Sequence, residues 1–192
     1  MLTSTHAPAW LLWNPTVIAL DLSAPSPGTA PAALDDHEQA LAWYRAEQAV
    51  LTATVARAHA AGFDDHAWQL SAVLAPFLLR AGAWREWEEV SRAALAAAER
   101  SGHRDRQAHA HRRLGQVHRS EDRQPEAHAQ LRLALDLFDA LGDRPRQGGT
   151  EAARTAWQDA LTILDDLQHR DAVAVRGRLD ALTKPRLEGP GR

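Results

Sequence analysis

The chain has no cysteine, which excludes disulfides and cysteine-ligated zinc. It has one lysine, Lys184, near its end, so nearly all of its basic residues are arginine. That leaves no phosphate-cradling G-x-x-x-x-G-K-[ST] loop. No H-E-x-x-H and no G-x-S-x-G occurs, so the common signatures of zinc hydrolases and serine hydrolases are missing. Tyrosine occurs once and phenylalanine three times, leaving few strand-favouring residues apart from seven tryptophans. The most apolar early stretch, Trp10 to Leu20, is about half of the ~20 residues a spanning helix needs. Asn14-Pro15 interrupts it, and only His6 precedes it as a basic residue. Neither a membrane span nor a signal peptide is expected, and the cytoplasm is the default compartment. A formal charge of −3 argues against a basic nucleic-acid-binding domain.

What is abundant is alanine: 39 of 192 residues. Alanine and arginine are both strong helix formers. With 45% hydrophobic residues the chain has enough apolar material for one domain or one short repeat array. Residues 23–33, SAPSPGTAPAA, hold three prolines and one glycine and read as an extended linker behind a short N-terminal helix. From Leu34 the pattern turns helical.

A repeat of forty runs through that helical region. Gly62, Gly102 and Gly142 are equally spaced, and the same shift places Leu74 on Leu114, Glu86 on Glu126, Arg92 on Arg132 and Ala94-Leu95 on Ala134-Leu135. A fixed period with helices between the glycines predicts stacked helical hairpins. Each glycine is placed to end a helix in the left-handed conformation. The first unit divides into helices near 64–80 and 84–101, joined at Gly82. The second divides into helices near 104–119 and 124–141, joined at Glu121-Asp122. Ala110, Leu114, Val117 and His118 form one inward stripe; Ala127, Leu131, Ala134, Leu135 and Phe138 form its counterpart. Residues 36–61 read as a further helical pair with Leu41, Trp43, Val50, Leu51 and Val55 inward. Thr150 to Leu167 repeats the second-helix pattern at an offset of 26, so about one helix is missing before it. Residues 171–182 give a terminal helix. The expected organisation is an N-terminal segment over 1–33, a helical repeat domain over 34–182 and a disordered tail over 183–192. The expected fold is all-α, a right-handed superhelical array of antiparallel helix hairpins.

The second unit carries Leu114-Gly115, Ala127, Leu131 and Ala134, which resembles the tetratricopeptide signature. The period of forty is longer than the usual thirty-four, so its helices are longer. A closer resemblance runs over most of residues 30–182. ALAWYRAEQAVLTATV, HAWQLSAVLAPFL, WREWEEVSRAALAAAERSG and AWQDALTILDDLQHRDAVAVRGRL are similar to the C-terminal tetratricopeptide region of AfsR/SARP-like (antibiotic regulatory) actinobacterial transcriptional regulators. Such regulators carry a DNA-binding domain and a nucleotide-switch ATPase ahead of these repeats, and this sequence has neither. The resemblance implies a detached sensor or interaction arm, a truncated regulator, or a standalone relative.

Candidate chemistry is sparse. Of ten histidines, none form an i, i+4 pair with metal-site spacing, and His111 and His118 read as packing residues while His109 and His128 face solvent. Asp35-Asp36 and Asp64-Asp65 sit at helix starts and read as caps. Trp43, Trp68, Trp84, Trp87 and Trp157 read as core plugs at unit junctions; Trp10 and Trp13 form an apolar patch if their helix is loose. The notable feature is basic: Arg100, Arg104, Arg106, Arg112, Arg113 and Arg119 against Asp105 alone. In tetratricopeptide arrays the first helix of each unit lines a groove, and this places His109, Arg112, Gln116 and Arg119 along it. Arginine suits carboxylate or phosphate. The expected function is non-catalytic binding of a protein or acidic peptide, with no cofactor and no metal. A DNA-binding regulator using the 100–119 face is the alternative, disfavoured because no aromatic residue interleaves the arginines.

Overall fold

The computed structural model describes residues 34–142, the helical positions Arg154, Trp157, Gln158, Leu161 and Asp165, and residues 172–183. The expectations for residues 1–33, including Trp10 and Trp13, and for the tail beyond Thr183 lie outside the described residues. Among the described residues six helices have defined bounds, in order: α1 His37–Ala60, α2 Asp64–Ala81, α3 Trp84–Arg100, α4 Arg104–Ser120, α5 Gln124–Gly142 and α6 Ala172–Thr183. Among the described residues there is no strand. No helix among them is long and apolar enough to cross a membrane.

The first five helices are joined by the same turn four times. Gly62, Gly82, Gly102 and Asp122 carry positive φ of 78°, 66°, 71° and 58°, and they stand at twenty-residue intervals. After each, the next residue donates its N–H to the carbonyl five residues back: Phe63 to Ala58 at 2.9 Å, Ala83 to Leu78 at 3.0 Å, His103 to Ala98 at 3.1 Å and Arg123 to His118 at 2.8 Å. This is the Schellman closure, which satisfies carbonyls that the helix end leaves open. The same four residues then accept the first backbone bond of the next helix, from Ala67, Trp87, Gln107 and Ala127. One left-handed residue and one shared residue reverse the chain, so the structural period is twenty, half of the sequence repeat.

Consecutive helices from α1 to α5 pack on one another, and α1 also packs on α3. A first core joins Tyr44, Leu51 and Val55 of α1 to Leu74, Phe77 and Leu78 of α2, Trp87 and Val90 of α3 and Val117 of α4. Tyr44 stacks on Phe77 at 5.0 Å and donates its hydroxyl to the Val73 carbonyl at 3.2 Å, so its polar tip is satisfied inside. A second core joins Ala108, Ala134, Leu135 and Phe138 to Trp157, Ala172 and Val175. The inward stripes expected on α4 and α5 are buried as the periodicity predicts.

Residues 36–61 differ from expectation. They form one helix of 24 residues, not a pair, because no glycine or proline lies between Asp36 and Gly62 to break it. Its buried face is Ala40, Tyr44, Leu51 and Val55, with Leu41 and Trp43 half-buried against it, while Val50 is 48% exposed. Asp36 caps α1 as expected, accepting the Gln39 N–H at 2.9 Å. Asp64 and Asp65 do not cap α2: Phe63 holds the cap position, and the two carboxylates sit in the first turn.

Gly115 explains the Leu-Gly to Ala to Leu spacing physically. A Cβ built there would lie 2.6 Å from Leu131 Cγ and 3.3 Å from the Ala127 carbonyl oxygen. Glycine lets α4 and α5 approach. Gly115→Ala is therefore expected to destabilise the fold by about 1 kcal/mol or more, since overpacking of roughly 1–3 kcal/mol outweighs the helix-propensity gain. Gly177 in α6 has open space around it, and Gly177→Ala should stabilise by ~0.5–1 kcal/mol. Urea unfolding of the two variants beside wild type checks the opposite signs.

Candidate functional site

The arginine-rich stretch from Arg100 to Arg119 does not form one surface. Arg100, the last residue of α3, reaches back to the first turn. It pairs with Asp64 and donates to the His59 carbonyl at 2.8 Å. Arg106 of α4 pairs with Asp65. Both aspartates are held below the usual carboxylate range, chiefly by these hydrogen bonds. So the carboxylates read as caps instead tie α2 to α3 and α4. The acids that follow the stretch, Glu121 and Glu126, pair with Arg123.

Arg123 also reaches Glu88 of α3 at 3.4 Å, and Glu88 pairs with Arg92 at 2.6 Å. Burial works to raise the Glu88 pKa, but the hydrogen bonds and charges of Arg92 and Arg123 prevail and lower it. Buried His118 lies 3.9 Å from the same carboxylate. Its pKa is lowered, first by burial and then by the Arg123 charge.

His109, Arg112, Gln116 and Arg119 follow one another at helical spacing on α4, and all four are half-buried. His109 departs from the solvent-facing role expected of it. Its ring is edge-on to Phe138 of α5 at 5.0 Å and tilted against Trp68 of α2 at 6.2 Å. Its Nδ1 is shut off from solvent and has no hydrogen-bond partner. Burial holds its pKa well below the ordinary 6.5, with the charges of Arg112 and Arg113 adding to the effect. His111, in contrast, faces α5 through a 2.8 Å hydrogen bond between its Nδ1 and Gln130 Oε1.

Arg113 is the residue that sequence reasoning passed over. It stands one helical turn after His109, the i, i+4 spacing that makes two side chains neighbours. It is only 3% exposed, and its guanidinium lies over the Trp68 ring at 4.8 Å. Trp68 thus carries both His109 and Arg113. No carboxylate among the described residues pairs with Arg113, and its buried Nη1 has no hydrogen-bond partner. Burial, and secondly the Arg112 charge, pull its pKa down to about 9, which leaves it charged at neutral pH. Burying an ion costs several kcal/mol, and stacking on tryptophan returns roughly 0.5–2 kcal/mol. The guanidinium is therefore under-compensated. The one sequence signal was the i, i+4 spacing from His109, hidden because Arg113 sits inside a run of arginines that reads as solvated.

Chemically, the cluster offers buried N–H donors and positive charge. Among the described residues no three His, Asp or Glu side chains are grouped to hold a metal ion. Compared with known protein families, curated proteins and solved structures, the chain matches none.

The neutral burial of His109 and His118 makes folding pH-dependent. Their folded pKa values lie below the unfolded value of 6.5, so the unfolded chain takes up protons first. Their stability contribution is complete above pH 6.5 and is lost as pH falls below it. The paired Asp64, Asp65 and Glu88 lose theirs only in the more acidic carboxylate range. Urea unfolding between pH 8 and 5 should show a decline beginning near pH 6.5, shallower in His109→Gln.

Proposed function

We propose that the chain is a non-catalytic, protein- or peptide-binding module of tetratricopeptide type, a right-handed array of helix hairpins. The observation that carries this reading is the same left-handed turn at residues 62, 82, 102 and 122, which sets helices of 17–19 residues against their neighbours in sequence order. Repetition of one helix-turn unit builds an extended side-chain surface, and such arrays use that surface to hold partners. His109, Arg112, Gln116 and Arg119 on α4 form the groove face of this reading, and their basic character selects an acidic partner. The motifs over most of residues 30–182 that resemble AfsR/SARP-like regulators extend the reading to a sensor or interaction arm acting in the cytoplasm. The burial of Arg113 and the pairing of Arg100 and Arg106 weigh against the duplex-DNA reading, because few of the arginines remain to meet phosphates.

Affinity capture from a lysate of the source organism tests the proposal. The baits are wild type and Arg112→Glu/Arg119→Glu, each first checked for helicity by circular dichroism. A polypeptide held by wild type and lost by the variant is the expected result. Equal retention by both baits, or no capture by either, would discard the α4 groove.

A further inference from the structure

We infer that the Trp68–His109–Arg113 cluster is a carboxylate-binding site, filled by an acidic side chain of the bound polypeptide. This deepens the reading of the chain as a peptide-binding module and rests on it for the source of the carboxylate.

Two buried nitrogens on adjacent turns of α4, His109 Nδ1 and Arg113 Nη1, both lack a hydrogen-bond partner. Buried polar groups are satisfied in the great majority of native proteins. Unpartnered buried atoms also occur elsewhere, as at Trp87 Nε1 and Ser91 Oγ. Here, however, His109 Nδ1 and Arg113 Nη1 fall within five residues of one helix, and one of them belongs to a guanidinium residue only 3% exposed. This grouping marks a place where an acceptor is missing. That acceptor is an anion, because Arg113 has no carboxylate among the described residues and Arg112 adds like charge beside it. Two donors match the two oxygens of one carboxylate: Arg113 Nη1–H gives one hydrogen bond, and neutral His109 in its Nδ1–H tautomer gives the other. The Arg113 guanidinium carbon lies 4.8 Å from the centroid of the Trp68 ring, so the indole supports the group on one side. His109 and Arg112 are half-buried while the two nitrogens themselves are shut off from solvent, so the site lies beneath the groove face and an acidic side chain enters it by displacing the side chains that cover it. Glutamate reaches further than aspartate and suits this depth.

The test uses the full chain and two probes, sodium acetate and a blocked tri-glutamate peptide. The readout is the Trp68 indole N–H resonance, assigned with Trp68→Phe, with sodium chloride at equal ionic strength as the control. Wild type should show saturable shifts with both probes and none with chloride. The peptide should bind more tightly than acetate. Arg113→Met, which keeps bulk against Trp68, should weaken both by about tenfold or more. His109→Phe serves as the second variant should Arg113→Met unfold, and it should weaken both as well. Absence of saturable acetate binding in wild type, or binding by the folded variants as tight as that of wild type, overturns the site. Acetate binding as tight as peptide binding overturns the polypeptide as occupant. The capture experiment above uses Arg112 and Arg119, so partner capture without acetate binding refutes this site and spares the module, and the reverse refutes the module and spares the site.

Discussion

Each of the first four helices must end in a residue of left-handed conformation, and the fold depends on that one requirement. A helix end leaves carbonyls unsatisfied. Here the same residue pair closes them and begins the next helix, so no free loop intervenes at 62, 82, 102 or 122. With no slack in the turns, the rotation of each helix about its axis is fixed by its predecessor. Positions forty apart therefore occupy equal places. Leu74 and Leu114 are both buried, as are Ala94 and Ala134. Side-chain size varies within that frame: Trp87 and Ser91 on α3 correspond to Ala127 and Leu131 on α5, and all four are buried. A large residue beside a small one is exchanged for a different division of the same space.

The site inherits its geometry from the same register. Trp68 lies on the second helix and His109 and Arg113 on the fourth, and the two intervening turns bring them together. The ion pairs of Arg100 with Asp64 and Arg106 with Asp65 tie the start of the second helix to the end of the third and the start of the fourth. They are exposed enough to contribute little individually, so the buried stripes carry most of the stability. The under-compensated guanidinium is tolerated inside a scaffold whose apolar stripes are well buried, which is how functional sites accommodate local cost.

Much of this architecture was legible in the sequence because glycine marks left-handed turns so strongly. Gly62, Gly82 and Gly102 placed the ends of three helices within a residue or two. The fourth turn was placed near Glu121-Asp122 from spacing alone, but its conformation was not readable, because aspartate adopts positive φ only occasionally. The single α1 helix was misread as a pair because its apolar residues do not keep one clean stripe: Val50 is exposed beside buried Leu51. The groove stripe on α4 was readable as a spacing, whereas its environment was not. His109 was expected in solvent and lies between Phe138 and Trp68. That contact joins residues from three helices, and no periodicity within one helix reveals it.

The central claim is that the turns set the register and are not mere linkers. Its most direct measurement is urea unfolding of a variant with one alanine inserted between Gly102 and His103. One added residue would turn α4 and everything after it by about 100° relative to α1–α3. The account predicts a loss of about 3 kcal/mol or more, or a split into two transitions. A cost under ~0.5 kcal/mol, which flexible loops show on lengthening, would contradict it.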